Sequence, residues 1–448
     1  MMKKSAGVLV ASILAVFFSL RPFSVFGQES SSAFVPVDTK FMSIEQSLLF
    51  DSKTWMGWHV QKEGPYGGGR FTIEDGAICS DPAHPGLLLT TGQFADFLLD
   101  FEVQTEEETD AFLLLRTSPS PKNLGTSCYA VVLAASSAHP ERNICSFFKR
   151  RMTTYSPAEF NKKNADGSYP WKRYSVYADV KDLRVTCDST FNNDCSLDDE
   201  SVRRGYIGFL VTKGQARFRN IAWAPTRTTP LFRPESRQGI HWKPLEKNAD
   251  FRLHLDSMEM ILQGGPGTLE TQKSFDNFIL RAEFHAAGTQ SIGDIFFRSL
   301  PGETFAGYRC ALCDRSSERN LVSTLGERIG SLVPLQEARN VGAQNDQWHF
   351  LVVKAVDNHF QTWVNGIQTV DFADRRPENI SENPQHGLRL KEGTIQIHTQ
   401  SPDTTLRFKS IDIVPVSKRW ISKEEAWYLK EQHALEFLPP RAKPETSL

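Results

Sequence analysis

Three ionisable side chains in the second half of the chain are of the types that carry acid–base chemistry. Arg298 ends an apolar run, where a cation is costly unless it meets a ligand or an anion. Asp314 has the carboxylate of a general base, and the imidazole of His398 gives or takes a proton near neutral pH. Because arginine stabilises negative charge on oxygen, we predict Arg298, Asp314 and His398 as catalytic residues.

Four further residues are candidates for holding a substrate. Gln396 alternates with apolar residues together with His398, so the two side chains share one face of a predicted strand. Tyr308 offers a ring on which a ligand could stack, and Glu283 and Arg116 offer charged groups. We predict Tyr308, Glu283, Gln396 and Arg116 as substrate-binding residues.

Each candidate also has a structural interpretation that the sequence leaves open. Arg298 could form an ion pair with Glu283 inside a sheet, as Arg116 could with Glu102 in the first half of the chain. Asp314 could form a turn before two serines. The histidine and the tyrosine could be buried framework residues whose polar atoms are satisfied within the fold.

Composition and charge exclude several classes of protein. The 448 residues are enough for two hydrophobic cores. The 51 basic and 53 acidic residues leave a formal net charge of −2, which gives no basic surface for nucleic acid. The 31 phenylalanines, 29 glycines and 24 prolines favour short strands joined by turns over long helices.

The familiar catalytic and cofactor motifs are missing from the sequence. There is no Gly-x-Ser-x-Gly elbow, no phosphate-binding loop and no His-Glu-x-x-His pair. Residues 188–200 are rich in aspartate and asparagine, so a divalent metal such as calcium could bind there. Their spacing matches no defined calcium loop, and solvated turns explain it as well. We therefore predict no certain cofactor and assign no metal ligand.

The N-terminus has the pattern of an export signal over residues 1–27. Lys3 and Lys4 precede an apolar run over residues 6–20, and small residues lie before Gly27. This run is shorter than the roughly 20 residues that span a bilayer, and no later run approaches that length. We predict an exported protein, periplasmic or extracellular, without a membrane span.

The seven cysteines suggest pairings without fixing them. Cys187 and Cys195 flank a polar loop and could form a disulfide that closes a small hairpin, and Cys128 could pair with Cys145. The two cysteines in the run 310–313 lack a second pair to complete a metal site. We interpret these two as structural or free thiols.

An internal repeat is the most informative feature of the chain. Residues 94–102 match residues 275–283 at an offset of 181, and residues 113–116 match residues 295–298. Further landmarks follow in the same order in both halves, ending with a phenylalanine that precedes an isoleucine by three residues. A collinear series of this kind indicates a tandem duplication.

Each repeat is predicted to be a β-sandwich, over residues 41–224 and 236–416. Apolar residues recur at every second position in many short runs, and Asn365-Gly366 between two such runs predicts a tight hairpin. The stretch 225–235 begins with prolines and threonines and is predicted to be the linker. A capping box predicts one short C-terminal helix over residues 421–438.

The repeated landmarks resemble the exported bacterial domains called 3-keto-disaccharide hydrolase domains. The opening pattern of that family is similar to Leu49-Phe50-Asp51-Ser52-Lys53-Thr54, and its late Phe-Arg-Asn-Ile is intact over residues 218–221. In the second repeat the resemblance rests on Ala306-Gly307-Tyr308, Asn365-Gly366 and Ile395-Gln396-Ile397-His398. The resemblance covers both repeats.

The resemblance implies an all-β fold of two tandem concanavalin A-like jelly rolls that bind carbohydrate. It also implies hydrolysis of 3-keto-glycosides, in which a base removes the acidic hydrogen on carbon 2 and the group on carbon 1 leaves. The Gly-Tyr-Glu of the family reads Gly307-Tyr308-Arg309 here, and the first repeat has Lys213 at the position that answers to His398. We therefore predict a hydrolase whose second domain is the catalyst, with a non-catalytic carbohydrate-binding protein as the alternative.

Overall fold

The computed structural model describes residues 46–124, 128–139, 142–147, 163–188, 191–196, 202–234, 242–245, 252–255, 259–288, 291–316, 327–379 and 381–416. Within these ranges the chain forms only strands, turns and loops, so no described segment is a helix that could cross a membrane. The predicted export signal and the predicted C-terminal helix lie outside the described residues.

The first repeat folds into two antiparallel sheets. The larger sheet has the order β11-β10-β9-β6-β13-β4-β3, with β1 paired to β13, and the smaller sheet has the order β2-β5-β12-β7-β8. The strands are β1 (Ser47–Leu48), β2 (Trp58–Val60), β3 (Phe71–Glu74), β4 (Ala77–Ser80), β5 (Gly86–Thr90), β6 (Phe97–Thr105), β7 (Asp110–Thr117), β8 (Tyr129–Ala134), β9 (Lys172–Asp179), β10 (Asp182–Cys187), β11 (Phe191–Ser196), β12 (Tyr206–Lys213) and β13 (Ala216–Pro225).

The second repeat has the same architecture. Its larger sheet has the order β16-β17-β27-β19-β23-β24-β25, with β14 paired to β27, and its smaller sheet has the order β15-β18-β26-β20-β21-β22. The strands are β14 (Thr229–Phe232), β15 (Trp242–Pro244), β16 (Arg252–Leu255), β17 (Met260–Gln263), β18 (Gly267–Thr271), β19 (Phe278–Ala287), β20 (Gly293–Ser299), β21 (Tyr308–Ala311), β22 (Leu332–Val333), β23 (Trp348–Val356), β24 (His359–Val364), β25 (Ile367–Ala373), β26 (Thr394–Thr399) and β27 (Thr405–Pro415).

Alternation of apolar residues gives each sandwich its core. In β6 every second side chain, from Phe97 to Thr105, is buried. The inward residues of the two sheets pack together as one apolar cluster in each repeat. Asn365 and Gly366 both have positive φ at the β24–β25 turn, as the predicted hairpin requires. The predicted all-β fold of two tandem jelly rolls is confirmed.

The predicted linker is partly built into the second sandwich. Its segment Thr229–Phe232 is strand β14, which pairs with β27 at the larger sheet. The side chain of Leu231 is buried in the second core. The predicted linker is therefore polar and rich in proline, but the side chain of Leu231 anchors it in the second sandwich.

The two sandwiches pack on each other through an apolar contact. Trp363 is fully buried, its ring lies 5.4 Å from that of Trp223, and its indole N–H donates to the carbonyl oxygen of Leu48 at 2.8 Å. Arg204 of the first repeat binds both carboxylate oxygens of Asp357 in the second, at 3.2 and 2.9 Å. The buried tryptophan contact and this partly exposed ion pair join the two repeats.

Lys354 is one of the charged side chains buried in this interface. The ammonium group of Lys354 donates to Gln361 Oε1 at 2.8 Å and lies 3.8 Å from the centre of the Phe94 ring. Lys354 is 2% exposed, and burial lowers the pKa of its ammonium group to about 7, although Asp371 opposes the shift. Arg204 adds to the lowering of the pKa.

We expect Lys354→Met to change how stability depends on pH. Between about pH 10.5 and about pH 7 the unfolded lysine carries a proton that the folded lysine lacks, so wild-type stability falls as the pH falls through this window. As the pH falls through this window, the free energy of unfolding of Lys354→Met should increase by about 4 kcal/mol relative to that of wild type. Urea unfolding at pH 7 and pH 10 measures this, and a constant difference would contradict it.

Candidate functional site

The outer surface of the smaller sheet in the second sandwich carries a compact set of polar side chains. Strand alternation sends every second residue of β18, β20, β21 and β26 into the core and the residues between them outward; most of these outward residues are polar, although they include Phe296, whose ring contacts His398. We call this set the polar face; it consists of Thr268, Glu270, Asp294, Arg309, Gln396 and His398.

Strand register brings the members of the polar face together in rows. Thr268 lies opposite His398, and the threonine hydroxyl is 2.8 Å from His398 Nδ1. Glu270 lies opposite Gln396, whose amide donates to Glu270 Oε1 at 3.2 Å. Across the next strand pair His398 lies opposite Asp294. The polar face is therefore a set of adjacent hydrogen-bonded or ion-paired groups spread over four strands.

The imidazole of His398 has one nitrogen available for chemistry. Nδ1 is engaged by Thr268, whereas Nε2 has no hydrogen-bond partner among the described residues. His398 is 1% exposed, and burial, helped by the nearby charge of Arg309, lowers its pKa to about 4. The ring is therefore neutral at pH 7, and in the tautomer whose Nδ1–H donates to Thr268 its lone pair lies on Nε2.

An acid and a cation lie beside this histidine. The Arg309 guanidinium binds Asp294 at 2.9 Å and Glu327 at 3.0 Å. Burial raises the pKa of Asp294 to about 6, although Arg309 opposes the shift. Asp294 thus exchanges its proton near neutrality while Arg309 keeps its charge.

Glu270 supplies a carboxylate on the other side of the histidine. Burial alone would raise the pKa of Glu270, but a hydrogen bond from the Gly302 amide and the ammonium group of Lys243 lower it. Gly302 N–H donates to Glu270 Oε1 at 2.8 Å, and Lys243 lies 3.0 Å from Oε2. The fully buried Glu270 is therefore an anion that accepts several hydrogen bonds.

A loop between β20 and β21 lies over the polar face. We call residues 300–306 the cover loop. Its ends meet through a hydrogen bond of 3.0 Å from Leu300 N–H to the carbonyl oxygen of Ala306. Gln396 donates to the carbonyl oxygen of Glu303 at 2.9 Å, and the Phe305 ring centre lies 4.4 Å from that of His398. The cover loop shields the polar face from water.

The equivalent surface of the first sandwich is apolar. Its strands pair in the same register, and the residues that answer in space to the polar face are Leu87, Leu89, Phe112, Ala130, Gly208 and Leu210. These form an apolar cluster with Leu124 and Cys128. The predicted match of Lys213 to His398 is wrong, because the paired strands place Leu210 there and Lys213 binds Glu108 at the surface.

Two predicted site residues, His398 and Gln396, lie on the polar face, and Arg298 does not. The Arg298 guanidinium is fully buried and donates to the main-chain oxygens of Asp276, Asp357 and Arg389 and to Asn277 Oδ1. The interpretation of Arg298 as paired with Glu283 is wrong. Glu283 lies on the larger sheet and binds Lys409 at 3.1 Å.

Arg116 repeats this arrangement in the first sandwich. Its guanidinium donates to the main-chain oxygens of Ala95, at 2.9 Å, and Val180, at 3.0 Å, and binds the carboxylate of Asp96 at 3.0 Å. The expected pair of Arg116 with Glu102 is therefore absent from the described structure, where Glu102 binds a different arginine. Both arginines tie loop main chain to the edge of a sandwich.

Asp314 and Tyr308 also lie away from the polar face. Asp314 accepts the amide of Ser316 at 2.9 Å, which is a turn contact, and its main chain is bound by Asn345. The Tyr308 ring packs in the core, and its hydroxyl donates to Asp374 at 2.9 Å. Burial raises the pKa of Tyr308 to about 12.

Sequence reasoning missed four of the six residues of the polar face. Thr268, Glu270 and Asp294 were not predicted, and Arg309 was noted only as a departure from a family pattern. A signal existed in the run 267–271, where Thr268 and Glu270 alternate with an apolar residue. This run does not indicate which strands lie next to each other in the sheet.

Within the described residues, the cysteines and the candidate metal region form no second site. All seven cysteines are free, and Cys187 pairs with Phe191 while Cys195 pairs with Leu183. The proposed Cys187–Cys195 disulfide is therefore wrong, because the two residues lie far apart along one hairpin. No group of three metal-ligating side chains exists among the described residues, and residues 188–200 fall partly outside them.

Comparison with known families and structures gives the following relationships. The sequence profile of the 3-keto-alpha-glucoside-1,2-lyase-like domain matches residues 45–224 and 235–414. No curated protein sequence matches the chain.

Three similar solved structures each overlap less than half of the chain. A predicted glycosyl hydrolase from Parabacteroides distasonis is 12% identical, with a TM-score of 0.32 over 43% of this chain and 99% of that one. A carbohydrate-binding module from Bacillus subtilis is 16% identical, with a TM-score of 0.27 over 38% and 96%. The exoplasmic/lumenal domain of VIP36, in a form bound to Ca²⁺ and Man3GlcNAc, is 12% identical, with a TM-score of 0.32 over 45% and 94%.

Proposed function

Because the chain belongs to the 3-keto-alpha-glucoside-1,2-lyase-like domain family, with two copies in tandem, we propose that it cleaves glycosidic bonds of sugars oxidised at carbon 3. The polar face of the second sandwich is the catalytic site in this proposal. The first sandwich is a scaffold that holds the second in place.

One observation carries this proposal. The polar face surrounds a neutral histidine whose Nε2 has no partner among the described residues, with an acid, a carboxylate and a cation beside it. Every equivalent position of the first sandwich has an apolar side chain or glycine. A polar network of this cost is retained where chemistry or binding needs it.

The reaction needs three groups from the protein. A keto group on carbon 3 acidifies the hydrogen on carbon 2, so a base can remove that proton and leave an enolate. The enolate then re-forms the carbonyl at carbon 3, its double-bond electrons make the bond between carbons 1 and 2 a double bond, and the oxygen on carbon 1 leaves with the pair of the broken carbon–oxygen bond. A base, a cation near the enolate oxygen and a proton donor for the leaving oxygen therefore suffice.

The polar face supplies each of these groups. His398 is the base, since its imidazole is neutral and Nε2 has no hydrogen-bond partner in the part of the chain that the structure describes. Asp294 is the proton donor, because burial raises its pKa to about 6, and Arg309 is the cation that stabilises the enolate. Addition of water to the unsaturated product at carbon 1 completes hydrolysis.

The remaining predicted residues have supporting roles in this proposal. Arg298 and Tyr308 hold the loops at the edge of the second sandwich, and Arg116 does the same in the first. Gln396 binds substrate next to Glu270. Asp314 shapes the turn after β21, and Glu283 contributes to the outer surface of the larger sheet.

Release of 3-keto-glucose from methyl 3-keto-α-glucoside by the purified chain tests the proposal. Turnover should disappear in Asp294→Asn and persist when a chelator is added. A matched control is Asp314→Asn, which changes a carboxylate in the same domain away from the polar face. Equal loss of turnover in both variants would contradict the assignment to the polar face.

The pH dependence of kcat/KM should be bell-shaped with an optimum near pH 5. His398 must be neutral, so activity rises as the pH increases through about 4. Asp294 must carry its proton, so activity falls as the pH increases through about 6. Initial rates at low substrate concentration between pH 3 and pH 9 measure the profile. Activity that keeps rising above pH 7 would contradict these roles.

A non-catalytic carbohydrate-binding protein is the second candidate. The family glutamate is Arg309 here, and its guanidinium is held by Asp294 and Glu327. A site of this kind could bind a sugar without cleaving it. Binding of the ketoside without turnover would favour this candidate.

We also propose that the protein acts outside the cytoplasm, on sugars in the periplasm or the medium. The N-terminal pattern of two lysines and an apolar run supports export. N-terminal sequencing of the protein recovered from the producing cells should show that residues 1–27 have been removed.

A further inference from the structure

The site proposed above is closed to solvent. Glu270 and Gln396 are 0% exposed and His398 is 1% exposed, so a sugar cannot reach them while the cover loop holds its position. We propose that the cover loop is a lid. In the closed state its main chain forms hydrogen bonds with Glu270 and Gln396, and after the loop opens two sugar hydroxyl groups form these hydrogen bonds instead. This inference rests on the proposed function of the polar face.

The contacts of the loop are those that a hydroxyl pair could replace. Gly302 N–H donates to Glu270 Oε1 at 2.8 Å, and the carbonyl oxygen of Glu303 accepts from Gln396 Nε2 at 2.9 Å. A hydroxyl group both donates and accepts, so one hydroxyl can satisfy Glu270 and another can satisfy Gln396. The exchange leaves neither buried group without a partner.

The cover loop also places an aromatic ring over the polar face. Phe305 covers His398 with ring centres 4.4 Å apart and also contacts Phe296 at 5.8 Å. Phe305 is 44% exposed, and its φ of 58° is unusual for a phenylalanine. Because the Phe305 ring is partly exposed and its backbone is strained, moving this ring away from His398 costs little free energy.

The first sandwich has an apolar cover at the equivalent place. Its β7–β8 loop begins at Ser118 and places Leu124, 8% exposed, on the apolar surface, with Cys128 beside it. Tyr66 packs against the same cluster. Opening that cover would expose apolar surface, whereas opening the cover loop exchanges polar contacts for polar contacts.

Opening can be tested without a substrate through the chemical reactivity of His398. Gly302 has a φ of 82° and nothing within 4 Å of an added Cβ, so Gly302→Ala strains the closed loop without a clash. Acylation of His398 by diethyl pyrocarbonate, followed by peptide mass spectrometry, should become about fivefold faster. Gly167→Ala is the matched control, because Gly167 has a φ of 83° and equally open space in the first sandwich.

The exposed His59 is an internal reference, and its acylation rate should be the same in all variants. An unchanged His398 rate in Gly302→Ala would overturn the lid. This result would leave the proposed function intact, since the measurement uses no sugar.

The hydroxyl subsite is tested by binding of methyl 3-keto-α-glucoside in the His398→Gln background. Gly302→Ala should raise its association rate about fivefold. Gln396→Met removes one hydrogen bond to the closed loop, so His398 acylation should accelerate when this substitution is made in the otherwise wild-type chain. The same substitution removes one hydrogen bond to the sugar, so ketoside binding should weaken about tenfold. Tighter ketoside binding in Gln396→Met would show that Gln396 holds only the loop, and would overturn the subsite. Failure of the ketoside to bind any variant would count against the subsite and the proposed function together, and the acylation rates would still decide the lid.

Discussion

Replacing His398 by glutamine is expected to lower kcat/KM for a 3-keto-glucoside by about 10³-fold. Glutamine fills a similar volume and can keep the hydrogen bond to the Thr268 hydroxyl, but it has no basic nitrogen at the position of Nε2. The melting temperature should therefore change little while proton removal from carbon 2 fails. Steady-state kinetics with folded variant and wild type at the same pH measure the loss.

His285→Gln is the matched control for this variant. His285 lies on β19 in the larger sheet of the same sandwich, with its ring 5.4 Å from that of Trp348. Its replacement should leave kcat/KM within about twofold of wild type. If both histidine variants keep full activity, the base is another group, and the role of the polar face is contradicted.

The largest expected loss of stability follows from Arg298→Met. Methionine removes the donors that satisfy the main-chain oxygens of Asp276, Asp357 and Arg389. Each buried acceptor left without a partner costs about 1–3 kcal/mol, so we expect the free energy of unfolding to fall by about 4 kcal/mol. Urea unfolding followed by circular dichroism measures the change.

The first sandwich supplies an internal comparison for this stability prediction. Arg116 binds three main-chain oxygens and Asp96 in the same way, so Arg116→Met should cost a similar free energy. The protein that remains folded should keep its kcat in both variants. Full stability of Arg298→Met together with loss of kcat would instead support the catalytic role that the sequence predicted for this residue.

The fold could be predicted from sequence because its signals are local or repeated. Alternation of apolar residues predicted strands such as β6, and the offset of 181 residues predicted two copies of one domain. The Asn365-Gly366 turn followed from the backbone freedom of those two residues. The family resemblance and its two copies are confirmed by the match over residues 45–224 and 235–414.

The site could be predicted only in part, because it depends on strand register and on one backbone irregularity. Residues 294, 296 and 298 alternate, so a regular strand would place Arg298 on the same face as Asp294. The register of β20 against β26 shifts after Phe296, and Arg298 has a φ of 49°, which turns its side chain to the edge of the sandwich. Nothing in the local sequence announces that bulge.

The duplicated chain has given its two copies different surfaces on one framework. Both keep the buried arginine at the end of the same strand, with φ values of 50° for Arg116 and 49° for Arg298. The outer surface of the smaller sheet is polar in the second copy and apolar in the first. The interface at Trp363 joins the first copy, whose smaller sheet has the apolar outer surface, to the second copy, whose smaller sheet has the polar one.

The central claim is that the polar face removes the proton on carbon 2 of a 3-keto-glycoside. Its most direct test is the reaction of methyl 3-keto-α-glucoside with the purified chain in deuterium oxide, followed by nuclear magnetic resonance. We predict release of methanol with deuterium at carbon 2 of the sugar product, and neither event with His398→Gln. Binding of the ketoside by the wild-type chain without methanol release or deuterium at carbon 2 would contradict the claim and identify a carbohydrate-binding protein.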